Sequence, residues 1–340
     1  MRASVRIMSN AGMVVFSLVL AILFLEGALR FTGIQKIISQ NPPIYRASDD
    51  PELSYELIPS HTATAYGATI TTNSVGFRSS ELPSRTGVRP LVILGDSVVF
   101  GFGVADNQTI GQYVQKRIPA MAVLSAGVSG YNITQERALY ERRIKPMQPS
   151  ALILVFMPND MDETFKLDEE GYFRPRSDSD PRTYVQKLDD DLRKPGTLPI
   201  PFKTFLQLHS AFFTFLERTT KSFSFRSHDT ARSIFDDPIT DTQIDEYLAE
   251  FRRLSDIAGA IPKMLVIWPE QNLHLRTRER LKGVAKEEGF VTVDLYEIYG
   301  NHYETLGWDG HPSARTNERT AEIIVDAMLT FPAFEPVIPR

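Results

Sequence analysis

Ser97 follows the apolar run Leu91-Val92-Ile93-Leu94 through Gly95 and Asp96. A serine hydroxyl is a weak nucleophile until a positioned base takes its proton, so the chain must also supply that base. Of the six histidines, His61, His209, His228, His274 and His302 have no comparable setting. His311 stands in Trp308-Asp309-Gly310-His311-Pro312-Ser313, beside a carboxylate and just ahead of the last helical pattern. Asp309 can fix the imidazole tautomer there and stabilise the imidazolium as it forms. Acyl chemistry also needs donors for an oxyanion, each typically worth about 3 kcal/mol of barrier. The available ones are the backbone N–H groups of Ser97 and Gly130 and the side-chain amide of Asn159.

Compact apolar runs at 91–94, 122–124, 151–156, 264–268 and 290–295 read as buried parallel strands. Between and after them, helical spacing recurs at 109–118, 134–145, 242–258, 277–288 and 313–329. Strands alternating with helices predict a doubly wound parallel sheet, here five-stranded, in a flavodoxin-like three-layer α/β/α body. The first three strands then deliver Ser97, the 125–132 turn with Gly130, and Asn159 to one carboxyl edge, where open parallel sheets assemble their sites.

These residues resemble the SGNH/GDSL hydrolase superfamily, whose four blocks occur in order over roughly the C-terminal three quarters of the chain. The resemblance implies Ser97 as nucleophile, Gly130 and Asn159 as oxyanion donors, and Asp309 and His311 as the rest of a triad. Two positions depart from the family pattern. Met157 replaces the usual glycine two residues before the block-three asparagine, which would narrow the pocket or shift the loop. The aspartate stands two rather than three residues before the histidine, a D-x-H spacing that resembles envelope-associated branches acting on exopolysaccharides or their precursors. The segment Thr72-Asn73-Ser74-Val75-Gly76-Phe77-Arg78 also resembles one found before the nucleophile block in membrane-anchored members. Its sequence gives no role, and Arg78 reads as a solvated or salt-bridged arginine outside the site.

The N-terminus carries an uncharged stretch, 11–25, with Arg2 and Arg6 before it and Arg30 and Lys36 after it. It reaches spanning length only if Glu26 is tolerated near one end. No small-residue cleavage pattern follows, so an uncleaved anchor is expected rather than a signal peptide. The charge pattern favours a single pass through a bacterial inner membrane, with the body in the periplasm or outside the cell. The division is then an anchor over 1–36, a linker and cap segment over 37–90, and a hydrolase-like domain over 91–335 with an insertion at about 161–241.

A net charge of -5 gives no basic excess for a phosphate backbone, so nucleic acid is excluded as a partner. Zero cysteines exclude disulfides and thiolate chemistry. The expected activity is that of a serine esterase or O-acyltransferase on a small, acetyl-type ester of an envelope glycan, and it needs no metal or organic cofactor. The alternative is a glycan-binding protein of the same fold without turnover. Asp96 is expected to hold the turn at Ser97. Phe202, Phe205, Phe212, Phe213 and Phe215 read as core or lid packing, and Asp189 to Asp191 as a solvated loop.

Overall fold

The structure, a computed structural model, describes residues 2–31, 44–83, 87–161, 165–167, 173–175, 206, 210–213, 215–216, 219, 239–269, 275–300, 302–306 and 310–338. Asp309, Phe202, Phe205 and the aspartates at 189–191 lie outside these residues. The chain divides into two compact units, one of residues 1–40 with 185–229 and one of residues 41–184 with 230–340.

In the smaller unit, helix α1 (Arg2–Phe31) contains one stretch, Gly12–Phe31, long and apolar enough to cross a membrane. A signal sequence has the same properties. Glu26, the one acidic residue of that stretch, is not left bare. It accepts from Ser210 Oγ (2.9 Å), Ala211 N (3.0 Å) and Phe212 N (2.9 Å), and pairs with Arg30. Its carboxylate thereby satisfies backbone donors at the start of the helical residues 211–213, which explains how a charge is tolerated near the end of an apolar helix.

The larger unit opens with two antiparallel pairs, β1 (Tyr45–Ala47) with β2 (Tyr55–Leu57) and β3 (Thr62–Ala65) with β4 (Ala68–Thr71). Then come β5 (Leu91–Gly95), α2 (Ser97–Phe100), α3 (Ile110–Arg117), β6 (Val123–Gly127), α4 (Ile133–Leu139) and β7 (Ala151–Phe156). After a short pair, β8 (Phe165–Leu167) and β9 (Phe173–Pro175), the chain continues through α5 (Asp241–Ala258), β10 (Lys263–Ile267), α6 (Leu275–Glu287), β11 (Phe290–Asp294), α7 (Leu295–Tyr299) and α8 (Ala314–Thr330).

The main sheet is parallel, in the order β11-β10-β7-β5-β6. The chain reverses its direction of travel across the sheet between β5 and β7, which opens a crevice at their carboxyl ends. Alternation along each strand splits the core. Val92, Leu94, Leu124, Leu152, Leu154 and Leu265 pack with Leu139 of α4 and Phe251 and Leu254 of α5. Leu91, Ile93, Val123, Ile153, Val155 and Val266 pack with Val114 of α3 and Ile324 and Met328 of α8. The strand residues are buried on both faces, as parallel strands require.

The elements match the expected order and differ in extent, most simply at β6, expected over 122–124 and observed over Val123–Gly127. Leu295 ends no strand but begins α7, because Asp294 caps that helix by accepting from Tyr296 N. The helix expected over 134–145 changes pitch after Leu139 into a wider turn, Tyr140–Ile144, where Lys145 N donates to Tyr140 O.

The 44–83 segment is part of the same core, with Leu53, Tyr55, Leu57, Ile70 and Phe77 buried in it. Ser79 reaches the edge strand β6, donating from Oγ to Val123 O (3.1 Å) and accepting from Ser125 N (3.2 Å). An otherwise open sheet edge is thus covered from the chain's own N-terminal side.

Candidate active site

Ser97 lies at the carboxyl end of β5, at the sheet's reversal point, as the first residue of the one-turn helix α2. Asp96 caps that turn, with Oδ1 accepting from Val98 N at 2.9 Å. At the other end Gly101, at φ +80°, lets Gly101 N reach Val98 O and Phe102 N reach Ser97 O (3.0 Å). Both ends of this turn are therefore closed by hydrogen bonds, and its short length leaves the serine little freedom.

A Cβ on Gly127 would stand 2.1 Å from Phe100 N and 2.5 Å from Val99 C. Strand β6 thus presses its backbone directly on α2, which is why that strand must end in a glycine. Among the described residues this contact sets the depth of Ser97 against the sheet.

His311 is held from the opposite side of the edge. Leu306 N donates to His311 O (2.8 Å), Thr305 bridges Pro312, and Ser313 N donates to Glu304 O (2.9 Å). Ser313 then caps α8 by accepting from Thr316 N. This arrangement brings His311 Nε2 to 2.8 Å from Ser97 Oγ across 214 residues of sequence. The distance suits proton transfer from hydroxyl to imidazole.

Ser97 Oγ also lies 3.1 Å from Asp96 Oδ2, which accepts from Asn159 Nδ2 at 2.9 Å. Asp96 has no exposed surface, and it does more than hold the turn as the sequence suggested: it links Ser97 and Asn159. Asn159 is exposed, on the turn after β7, which is stiffened by Asp160 Oδ2 accepting from Met157 N (2.7 Å). One amide hydrogen of Asn159 faces Asp96, and a primary amide carries a second. Gly130 sits on the turn after β6, partly exposed at φ +81°. Met157 is nearly buried in the core with Trp268 and Leu295.

Arg78 forms the salt bridge that was one of its two expected readings, with Asp106, and is not the solvated arginine of the other. It is 98% buried, having 2% exposure, and is neither solvated nor only salt-bridged. Its Nη1 donates to Gly101 O (2.7 Å) and Phe100 O (3.2 Å), Nη2 to Val104 O (2.7 Å), and Nε to Asp106 Oδ1 (2.8 Å). The Thr72–Arg78 motif builds this contact. Asn73 Oδ1 accepts from Val75 N and Phe77 N, Gly76 turns the chain at φ +84°, and the arginine is aimed at the carbonyls after α2. Burial pulls the guanidinium pKa below its ordinary value, and Asp106 opposes that fall.

Beneath the site, Glu136 of α4 is fully buried, and both its side-chain oxygens lack a hydrogen-bond partner among the described residues. Burial, and secondarily the carboxylate of Asp96, push its pKa well above the usual glutamate range. Nothing in the sequence separated this glutamate from a solvated one, since its neighbours Gln135 and Arg137 are also polar.

Fold and site together define a three-layer α/β protein with a hydrogen-bonded serine–histidine pair at the carboxyl edge of a doubly wound sheet. The solved structures it is similar to include a lipolytic protein of the G-D-S-L family from Desulfitobacterium hafniense (12% identity, TM-score 0.38, covering 70% of this chain and 98% of that one). Another from Veillonella parvula has 13% identity and a TM-score of 0.40, covering 72% of this chain and 100% of its own. An acetyl xylan esterase from Geobacillus stearothermophilus has 16% identity and a TM-score of 0.37, covering 70% and 94%. No family model and no curated protein sequence matches the chain.

Proposed function

We propose that this protein is a membrane-anchored serine esterase or O-acyltransferase of the SGNH/GDSL type, acting on a small acyl ester, acetyl in the first instance, of an envelope glycan. The 2.8 Å approach of His311 Nε2 to Ser97 Oγ carries this reading. A hydroxyl held against an imidazole at the crevice of a parallel sheet is equipped to attack a carbonyl. A protein that only bound a glycan would need no such pair.

Ser97 Oγ attacks the ester carbonyl carbon while His311 Nε2 takes its proton. The carbonyl oxygen, now negative, is met by the N–H groups of Ser97 and Gly130 and the amide of Asn159. Collapse expels the glycan oxygen, which leaves with the proton from His311, and the acyl group stays on Ser97. Water, or a sugar hydroxyl, then gives its proton to His311 and attacks the acyl carbon, and the acyl–Ser97 bond breaks as His311 returns that proton to Ser97 Oγ. Asp309 orients the imidazole. Every step is proton transfer or carbonyl addition.

The substrate class rests on the apolar α1 and the two-residue spacing of Asp309 and His311. In this reading α1 holds the protein in a bacterial inner membrane, with the body in the periplasm or outside the cell. The test is fluorophosphonate labelling of the full chain in detergent, followed by acetate release or acetyl exchange on an acetylated polysaccharide. The parent is expected to label, with labelling lost in Ser97→Ala and His311→Ala. Labelling unchanged in Ser97→Ala would overturn the assignment.

A further inference from the structure

We infer that Arg78, Tyr66 and Phe102 position the His311 imidazole, so that the segment ahead of the nucleophile strand belongs to the catalytic apparatus. This inference rests on the reading of Ser97 and His311 as nucleophile and base.

The Phe102 ring lies face to face with the imidazole, with centroids 4.1 Å apart and planes 20° apart. A ring stacked on one face of a histidine resists rotation about its Cβ–Cγ bond, which would swing Nε2 away from Ser97 Oγ. The electron-rich face of the benzene ring also favours the imidazolium that forms as the serine proton is taken. Phe102 can do this only if its loop is fixed. It stands between Gly101 and Gly103, at φ +80° and +74°, a pair of conformations that would otherwise leave the loop free to rearrange. Arg78 removes that freedom by holding the carbonyls of Phe100, Gly101 and Val104 at once. Lysine could not do the same, because its single ammonium lacks the planar fork.

Tyr66 backs the stack. Its ring lies 4.3 Å from that of Phe102 and meets Phe100 edge-on at 6.0 Å. It occupies the β3–β4 turn at φ +53°, followed by Gly67 at φ +77°, a left-handed conformation costly for a tyrosine. The contact it makes there accounts for the strained residue. Asp106 joins the parts, accepting Arg78 Nε on one oxygen and Thr71 N of β4 (3.0 Å) on the other. A core ion pair alone would not end on the face of the histidine that meets Ser97.

The test uses the full chain in detergent with p-nitrophenyl acetate, comparing Phe102→Leu, Phe102→Tyr, Arg78→Lys and Ser97→Ala, with melting curves for each. Phe102→Leu and Arg78→Lys are expected to lower kcat about tenfold, the scale of a misplaced catalytic group, with KM within about twofold of the parent. Phe102→Tyr, which keeps a ring, should return kcat to within about threefold of the parent, because an aromatic face on a cation is worth a modest factor that tyrosine also supplies. Parental kcat in Phe102→Leu would overturn the inference, as would equal losses in Phe102→Leu and Phe102→Tyr. If Arg78→Lys fails to fold, the Phe102 pair decides alone. Turnover retained in Ser97→Ala would instead overturn the nucleophile assignment, and this inference with it.

Discussion

Asn159 Nδ2 donates to Asp96 Oδ2 at 2.9 Å, and Ser97 Oγ meets the same oxygen at 3.1 Å. The serine has one proton and two acceptors for it, His311 Nε2 and Asp96 Oδ2. In the proposed reaction, donation to the histidine is productive and donation to the aspartate is not. The Asn159 bond occupies part of the acceptor capacity of Asp96 and so favours the productive arrangement.

Asp96→Asn tests this balance. An amide cannot accept from both Val98 N and Asn159 without turning its NH2 toward one of them. The expected result is a fall in kcat of about tenfold or more and a loss of about 1–3 kcal/mol in denaturant unfolding, since a buried donor is left without its partner. Parental values of both would show that the carboxylate is a bystander.

Asn159→Ala separates the two uses of the amide. If one hydrogen serves the oxyanion, kcat should fall about a hundredfold at nearly constant KM, measured with p-nitrophenyl acetate. Asn159→Asp should do worse, because it sets a second carboxylate against Asp96, which itself has no exposed surface. An asparagine that only braced Asp96 would give a small loss in the alanine variant.

Glu136→Gln makes a pH-dependent stability prediction. The folded-state pKa of Glu136 is raised well above its ordinary value of 4.5, by burial first and by Asp96 second. Above pH 4.5 the unfolded chain releases this proton while the folded chain keeps it, so folding takes up a proton and stability falls as pH rises. Stability from this group is complete below 4.5 and declines until pH passes the folded pKa. Glutamine has no proton to lose. The variant should therefore melt close to the parent at pH 4 and above it at pH 7, and a difference that does not change with pH would refute the prediction.

Gly127→Ala should destabilise the fold by about 3 kcal/mol or more, since the added methyl meets backbone rather than a movable side chain. Whatever fraction folds should label more slowly with fluorophosphonate, because α2 must shift to admit the methyl. Gly283→Ala is the control. Its Cβ would meet nothing within 4 Å, and Gly283 lies on the exposed face of α6, so its melting temperature should hold or rise.

Much of the architecture was legible in the sequence because local rules settle it. Five short apolar runs separated by helical periods allow little besides a doubly wound sheet, and Ser97, Gly130 and Asn159 each follow a strand directly, so their delivery to one edge needs only chain order. His311 was singled out by its neighbours and by elimination, and the structure brings it to Ser97. Other features depend on contacts between residues far apart in sequence. Arg78 read as a solvated or salt-bridged arginine, because nothing near it in sequence shows that three carbonyls 22 to 26 residues later will surround its guanidinium. Glu136 follows a helix start like any solvated glutamate, and only the packing of α4 on the sheet buries it. The side-chain pairings of Phe102 with His311 and of Asn159 with Asp96 likewise exist only once the sheet has closed. Sequence determined which groups reach the carboxyl edge, since strand and turn are local. Tertiary structure decided which of them touch, because that depends on how strands, cap and loops pack against one another.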